Sequence, residues 1–346
     1  MKLTIIYLLP IVIYFFNSFL KKNSLLLNYT GEKHQKFVIK EKIPLSGGTI
    51  LLICFFFIFL NNFFLSLCLI LMFSLGLSAD LKILNSPKLR FLLQLIILFA
   101  FTYFLDLEIK NTRIIFLDFI MTNKFFSYSF VVFCILILVN GTNFIDGLNT
   151  NVLGYYLIVS FFIYSLELYE QLTIAKFTWI CWIFCLFILY WFNFFKKLFI
   201  GDSGSYFLGL FYSYILIGIY STNSAISPFF IVLLLWYPCF EILFSIVRKI
   251  NFNRSPLRPD NKHLHQVLFI FIKKITKRKK LDPNTISANI INLYNLIILY
   301  LGSLDIYNSQ YQIFLILVNL IFYVFTYLRI VNNINKISIT SLKKKV

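Results

Sequence analysis

Long apolar segments separated by short polar ones make up most of this 346-residue chain. Continuous apolar runs of about 20 residues are typical of transmembrane helices, whereas the strands of a membrane barrel alternate apolar and polar residues. The pattern therefore predicts an all-α polytopic membrane protein with about eleven transmembrane helices. The predicted spans cover residues 3–20, 48–60, 62–77, 91–105, 125–139, 152–168, 174–192, 206–220, 226–247, 285–303 and 311–331.

Two segments need a separate argument. A single helix from Gly48 to Leu77 would be about 45 Å long, too long for a hydrocarbon core of about 30 Å, so we predict two short spans that turn at Asn61-Asn62. The apolar stretch 112–121 is short, and we predict an interfacial or re-entrant segment there. The first segment lacks a preceding basic region and a cleavage site, which favours a first span over a removed signal. We expect one integral-membrane domain, 1–331, and a basic cytoplasmic tail, 332–346.

Lysine and arginine predict the orientation of these spans. Basic residues concentrate after the first, third and ninth predicted spans and at the C-terminus. With the N-terminus outside and eleven spans, all of these regions fall in the cytoplasm, as the positive-inside rule requires. The same count places residues 140–151 and 193–205 in the cytoplasm.

Composition agrees with a membrane protein, since 60% of the residues are hydrophobic and only 13% are charged. The formal net charge of +18 could suggest nucleic-acid binding. No nucleic-acid motif accompanies it, and basic cytoplasmic loops of a membrane protein meet anionic lipid headgroups. We therefore expect the lipid bilayer, and no nucleic acid, as a partner.

Four polar clusters interrupt the apolar pattern, and the predicted topology places all of them at one membrane face. Polar and ionisable residues are costly near hydrocarbon and usually have a function there. Gathered at one face, these clusters predict a site that handles metal and phosphate. They are residues 76–82, 140–147, 199–205 and 258–265.

Asp202 lies in Gly201-Asp202-Ser203-Gly204-Ser205, directly before a predicted span. One interpretation is a helix N-cap, since Asp, Ser and Gly are favoured there. The other is that Asp202 binds Mg²⁺ while a diphosphate approaches the N–H groups at the positive helix end. The two interpretations are compatible.

Asn140, Asn143 and Asp146 follow each other at i, i+3 and i+6 at the end of another span. Residues at i and i+3 share a helix face, so two amides and a carboxylate could line one pocket. An ordinary C-terminal cap would explain Gly147 but not two Asn in an apolar helix.

The remaining two clusters have a weaker signal. Asp80 and Lys82 begin a loop, where such residues are commonly solvated. His263 and His265 point to the same side of an extended segment. A zinc site would need a third nitrogen or sulfur ligand nearby, so phosphate binding together with Arg258 and Lys262 fits better. A solvated basic loop is the alternative.

Taken together, the clusters resemble the polyprenyl-phosphate N-acetylhexosamine-1-phosphate transferases of glycosyltransferase family 4, in particular the undecaprenyl-phosphate N-acetylglucosamine-1-phosphate transferase branch. The resemblance covers roughly residues 1–331. It lies in Lys33-His34-Gln35, Ile43-Pro44-Leu45-Ser46-Gly47-Gly48, Gly76-Leu77, Asp80-Leu81-Lys82, Ser86-Pro87-Lys88-Leu89-Arg90, Asn140-x-x-Asn143-x-x-Asp146-Gly147-Leu148, Asn193, Gly201-Asp202-Ser203-Gly204-Ser205, and Asp260 through His263-Leu264-His265.

The resemblance implies an eleven-span enzyme of the bacterial inner membrane with its active site on cytoplasmic loops. It would transfer N-acetylhexosamine-1-phosphate from a UDP-N-acetylhexosamine to undecaprenyl phosphate, release UMP and start a lipid-linked surface polysaccharide. The implied cofactor is Mg²⁺, with Mn²⁺ as the alternative. A homodimer is one assembly that the chain could form, and the sequence does not indicate the oligomeric state.

The resemblance also implies roles for individual residues. The catalytic residues would be Asp80, Asp146 and Asp202, of which Asp202 and Asp146 would hold the metal. The substrate-binding residues would be Lys42, Lys82, Asn140, Asn143, Asn193, Arg258, His263 and His265.

The chain departs from the family pattern at three positions. Ala79 stands where the family usually has the first of two aspartates, Asn149 replaces a frequent Asp, and Glu241 follows Trp236-Tyr237-Pro238 where an Asp is common. An inactive relative that binds lipid phosphate or nucleotide sugar is therefore one alternative. A lipid or solute transporter is the other, although transporters usually place their polar groups near mid-membrane in paired repeats.

Overall fold

The structure is a computed structural model that describes residues 2–28, 42–59, 62–251, 253, 255, 262–276 and 282–343. Within these residues the chain folds into α-helices joined by loops, with a five-residue 3₁₀ helix at Leu168–Leu172. The helices are α1 (Lys2–Lys22), α2 (Gly47–Phe59), α3 (Phe63–Asp80), α4 (Pro87–Phe104), α5 (Ile115–Ile120), α6 (Lys124–Ile145), α7 (Asn151–Ser165), α8 (Lys176–Phe194), α9 (Gly201–Thr222), α10 (Pro228–Leu234), α11 (Trp236–Asn251), α12 (Leu264–Ile275), α13 (Pro283–Ser303) and α14 (Ser309–Lys343).

Every predicted span overlaps one of these helices or the pair α10 and α11 over most of its described length. Seven helices of the described chain are long and apolar enough to cross a membrane, or eight if the bent pair counts as one span. The helices α2 and α7 are apolar but shorter. The predicted all-helical, polytopic architecture is therefore confirmed, whereas eleven crossings and the cytoplasmic position of the loops stay predictions.

At the predicted turn Asn61-Asn62, Asn62 lies directly before α3, and Asn61 lies outside the described residues. Asn62 has extended backbone angles, and its side chain accepts the Leu65 N–H at 3.1 Å, which starts α3. The predicted short segment at 112–121 contains α5, a helix of only six residues. The helix α14 continues to Lys343, and the division into a domain and a tail at residue 331 stays a prediction.

The ninth predicted span, 226–247, is not one straight helix. Its two halves, α10 and α11, meet at an angle of 79°. Pro238 explains the break, because proline has no N–H to donate to the carbonyl four residues earlier. That carbonyl, on Leu234, accepts the Tyr155 hydroxyl at 2.7 Å instead.

The helix α9 forms the centre of the bundle, and 94% of its membrane-length window is buried. It packs against α2, α3 and α6. Small residues let these helices approach closely. A Cβ on Gly48 would lie 2.5 Å from the backbone nitrogen of Gly204, and one on Gly76 would lie 2.5 Å from the carbonyl oxygen of Asp202. The first turn of α9 is thus enclosed by its neighbours.

Candidate functional site

Asp80, the last residue of α3, caps the first turn of α9. Its carboxylate accepts the backbone N–H of Asp202 at 2.8 Å and that of Ser203 at 3.0 Å. These N–H groups have no partner within their own helix, so a carboxylate is stabilising there. Gly201 makes the approach possible, because it adopts a φ of +73° and a Cβ on it would lie 2.6 Å from Asp80 Oδ2.

The Asp202 side chain is held by two other helices. Asn143 on α6 donates to Oδ1 at 2.7 Å, and Arg90 on α4 donates to Oδ2 at 2.9 Å. Asn143 also donates to Ser205 Oγ at 3.1 Å. Both carboxylate oxygens are therefore engaged, and the side chain has a fixed orientation.

Asp146 caps the C-terminus of α6 and faces the same region. Burial raises the pKa of its carboxyl well above the ordinary value, and the charges of Asp202 and Asp80 raise it further, while the backbone N–H of Gly201 opposes the shift. The three carboxylates predicted to be catalytic are thus close enough to interact electrostatically.

Asn140 and Asn193 make hydrogen bonds to residues other than these carboxylates. Asn140 donates to Gln94 Oε1 and to the Leu136 carbonyl, both at 2.9 Å. The buried Asn193 accepts the backbone N–H of Thr150 and donates to the Leu198 carbonyl at 2.8 Å. The Asn140 contacts join α6 to α4, and the Asn193 contacts join the end of α8 to the segments before α7 and α9. Direct substrate binding by either residue stays a prediction.

His263 and His265 lie beside the turn that carries Asp146. Their rings stack with centroids 5.6 Å apart and an interplanar angle of 10°. The fully buried His265 lies against Gly147, where a Cβ would collide with its ring. Burial, and then the nearby His263, lowers the pKa of His265 to about 3. The second and fourth polar clusters therefore meet.

The three predicted cationic ligands are less well placed. Lys42 and Lys82 have exposed side chains, and Lys82 follows α3 with a φ of +60°. Arg258 lies outside the described residues. Contact of these side chains with a substrate stays a prediction.

Two cations near the site were not among the predicted site residues. Arg90 binds Asp202 from the first turn of α4, and Lys249 is 6% exposed with its ammonium 5.8 Å from the centre of the Phe144 ring. The sequence does contain a signal for Arg90, because an arginine one turn inside an apolar helix indicates a functional position. Lys249 belongs to the basic residues after the ninth predicted span, which indicate topology and not a site.

The segment Ile43–Gly48 supports the loop before α9. Gly47 and Gly48 donate their N–H groups to the carbonyls of Phe199 and Ile200 at 2.9 and 3.1 Å, and Phe199 donates to the Pro44 carbonyl at 2.8 Å. This pairing fixes the chain that leads into Asp202.

The oxygens of Asp202, Asp146 and Asn143 are of the type that Mg²⁺ and other hard cations prefer. Among the residues that the structure describes, no three His, Cys, Asp or Glu side chains form a closed metal cage. Mg²⁺ commonly takes one or two carboxylates and completes its shell with water and substrate phosphate, which fits this open arrangement. Surface cavities of about 380 and 570 Å³ lie elsewhere, beside Lys196 and between α1 and α8.

Comparison with known proteins gives one family model and several relatives that match part of the chain. Residues 62–220 match the model of a family described as glycosyl transferase family 4. The undecaprenyl-phosphate alpha-N-acetylglucosaminyl 1-phosphate transferase of Thermotoga maritima is 36% identical over 85 residues, which are 25% of this chain and 27% of that protein. The probable undecaprenyl-phosphate N-acetylglucosaminyl 1-phosphate transferase of Bacillus subtilis is 38% identical over 77 residues, 22% of this chain and 21% of that protein.

A third relative is the decaprenyl-phosphate N-acetylglucosaminephosphotransferase of Mycolicibacterium smegmatis, which is 36% identical over 21% of each chain. The matched segments cover about a quarter of the length of the curated relatives. The family match contains Asp80, Arg90, Asn143, Asp146 and Asp202. Residues 62–220, somewhat less than half of the chain, are therefore similar to glycosyl transferase family 4.

Proposed function

We propose that the protein transfers N-acetylhexosamine-1-phosphate from a UDP-N-acetylhexosamine to undecaprenyl phosphate and releases UMP. The observation that supports this most is the convergence of Asp80, Asn143 and Asp146 on Asp202 at the start of α9. These residues lie in the segment that matches the family model, and the relatives' names refer to polyprenyl phosphate and to transfer of N-acetylglucosamine 1-phosphate.

Asp202 and Asp146 are the residues that would hold Mg²⁺, or Mn²⁺ in its place. When bound there, the ion supplies charge neutralisation for the diphosphate. The Arg90 guanidinium contacts Asp202 Oδ2 at 2.9 Å, so it occupies the position of a cation at this carboxylate. The fork of N–H donors of Arg90 also suits a phosphate group, so this residue would hold the diphosphate beside Asp202.

In the proposed reaction an oxygen of the lipid phosphate attacks the sugar-side phosphorus of the UDP-sugar, and the bond from this phosphorus to the UMP oxygen breaks. Asn143 keeps Asp202 in one orientation, while Arg90, Lys249 and the histidines place positive or hydrogen-bonding groups around the diphosphate. Such transfers depend chiefly on positioning and charge stabilisation.

Ala79 is compatible with this chemistry. A phosphate monoester has a second pKa of about 6, so the acceptor is mostly a dianion at neutral pH and needs no strong base. Ala79 also means one carboxylate fewer beside the two phosphates, which reduces the repulsion between negative charges. We therefore propose that the enzyme is active. The experiment must distinguish it from an inactive relative.

The site would face the cytoplasm of a bacterial inner membrane, where UDP-sugars are available. Its product would start a lipid-linked surface polysaccharide such as an O antigen or a capsule. A homodimer remains the proposed assembly.

The test is UMP release by purified protein in detergent. The protein is given undecaprenyl phosphate, Mg²⁺ and a panel of UDP-N-acetylhexosamines, with Asp202→Asn as the control. Lipid- and Mg²⁺-dependent UMP from one sugar would support the proposal and identify the substrate. Nucleotide binding without UMP from any sugar, restored by Ala79→Asp, would instead identify an inactive relative.

A further inference from the structure

Glu241 is a buried carboxylate that the proposed reaction does not yet use. It lies on α11 with 1% of its surface exposed. Its Oε1 contacts His263 Nδ1 at 3.0 Å and the Leu264 N–H at 3.1 Å, and its Oε2 accepts the Tyr323 hydroxyl at 2.6 Å. Burial of a charge is costly unless it is paired and hydrogen-bonded, and all three partners here satisfy it.

These contacts determine the state of the His263 ring. An ionised carboxylate only accepts hydrogen bonds, so Nδ1 carries the proton that faces Glu241. The remaining ring nitrogen, Nε2, is then the atom available to a ligand. Because Oε1 also accepts the first N–H of α12, the same oxygen fixes both the ring and the start of the helix that presents it.

The ring is also enclosed on its other sides. Phe144 contacts it edge-on at 5.2 Å between centroids, and His265 stacks on it at 5.6 Å. Phe144 follows Asn143, which binds Asp202. The orientation of His263 is thus tied to the carboxylate site through two consecutive residues of α6.

We infer that Glu241 is a positioning residue: it fixes the ring of His263 so that Nε2 faces the phosphate groups of the substrate, and Tyr323 in turn fixes Glu241. The identity of the ligand as a phosphate rests on the proposed function. The geometry of Glu241, His263 and Tyr323 is independent of the proposed function.

A purely structural role is the competing explanation, because Glu241 also caps α12. Glu241→Gln separates the two roles. Its amide oxygen can still accept from Nδ1 and from the Leu264 N–H, so the cap is kept while the charge beside the ring is lost. Tyr323→Phe removes only the donor that holds Oε2.

The first measurement is independent of turnover. The chain has three histidines, so ¹⁵N-histidine-labelled protein gives a simple spectrum that His34→Gln and His263→Gln variants can assign. We expect a downfield Nδ1 proton for His263 that moves upfield in Glu241→Gln. An unchanged His263 resonance in that variant would overturn the inference.

The second measurement is a kinetic double-mutant cycle on UMP release. We expect Glu241→Gln to lower kcat/KM by about tenfold, as loss of a supporting contact commonly does, with an unchanged unfolding temperature. In a His263→Gln background the same change should cost less than about twofold, because the residue it acts through is gone. Glu108→Gln, which breaks a 3.9 Å contact with Lys124, is the control.

The outcomes are distinct. Full additivity of Glu241→Gln and His263→Gln, or a loss of activity that follows a fall in unfolding temperature, would overturn the positioning role. If the wild-type protein releases no UMP, the proposed function fails, and the histidine spectrum still decides whether Glu241 orients His263.

Discussion

The Asp80 carboxylate accepts the backbone N–H of Asp202 at 2.8 Å, so the last residue of one helix caps the first turn of another. The two residues are separated by 122 positions in the chain. One predicted catalytic carboxylate thus supports the backbone of the other, and replacement of Asp80 will affect the geometry of Asp202 as well as any direct contact with substrate.

Asp80→Ala removes both accepted hydrogen bonds. We expect it to lower the free energy of unfolding by about 1–2 kcal/mol, as loss of an N-cap does. It should lower UMP release by about 10²-fold or more, since Asp202 would lose its position. Asp80→Asn keeps one accepting oxygen and should lose less stability. Thermal unfolding in detergent and UMP release check both effects, and equal unfolding temperatures for all three proteins would contradict the capping role.

Asp202→Asn tests the proposed metal site directly. Asparagine can still contact Asn143 but cannot neutralise a cation or pair with Arg90. We expect a loss of at least about 10²-fold in UMP release, on the scale of one preorganised electrostatic contact. Asp305→Asn, at an exposed turn, is the matched control and should be active. Near-normal activity of Asp202→Asn would exclude a metal role for this residue.

Arg90 contacts the Asp202 carboxylate that would hold the cation in the proposed mechanism, so the two positive charges would compete for it. In Arg90→Ala we expect the half-saturating Mg²⁺ concentration to fall, while kcat falls by about tenfold because a phosphate ligand is lost. Arg90→Lys should have an intermediate kcat, since lysine keeps the charge but not the planar fork. A Mg²⁺ titration of UMP release gives both values. A higher Mg²⁺ requirement in Arg90→Ala would show that Arg90 assists the metal site instead.

His265 makes stability depend on pH. Its pKa is lowered from 6.5 to about 3 in the folded protein, so below pH 6.5 the unfolded chain binds a proton that the folded chain does not. This contribution to stability is therefore present above pH 6.5 and is lost as the pH falls towards 3, with a slope of about 1 kcal/mol per pH unit. Because the raised pKa of Asp146 acts in the opposite direction, the test is a difference: between pH 7.5 and 5 the unfolding temperature of the wild-type protein should fall relative to that of His265→Gln. An equal slope in the variant would contradict this role.

The meeting of Asn143 with Asp202 could be predicted from the sequence, because both lie where an apolar run begins or ends and the topology brings those ends to one face. The position of Asp146 followed from the same reasoning. The bend in the ninth span was also accessible, since Pro238 lies inside the apolar run 226–247. Hydropathy alone does not predict the bend, because it depends on the length of an apolar run and not on the hydrogen bond that Pro238 cannot donate.

Other features depend on contacts between distant parts of the chain. Nothing near Asp80 in sequence indicates that it caps a helix 122 residues later. The burial of His265 depends on its packing against Gly147, and the role of Glu241 depends on α12, an amphipathic helix that hydropathy does not detect as a span. The sequence shows the positive charge of Arg90, but it does not show that this charge contacts Asp202.

The pairing of Ile43–Gly48 with Phe199 and Ile200 limits which parts of the protein can be exchanged with relatives. The loop before Asp202 receives its shape from hydrogen bonds to a segment that lies more than 150 residues earlier. A chimera could take α9 and its preceding loop from a relative but keep residues 43–48 of this chain. The loop and residues 43–48 would then come from different proteins, although they must form hydrogen bonds with each other. The site therefore depends on several segments that are distant in sequence. An exchange of whole helices between relatives, without these segments, would disrupt it.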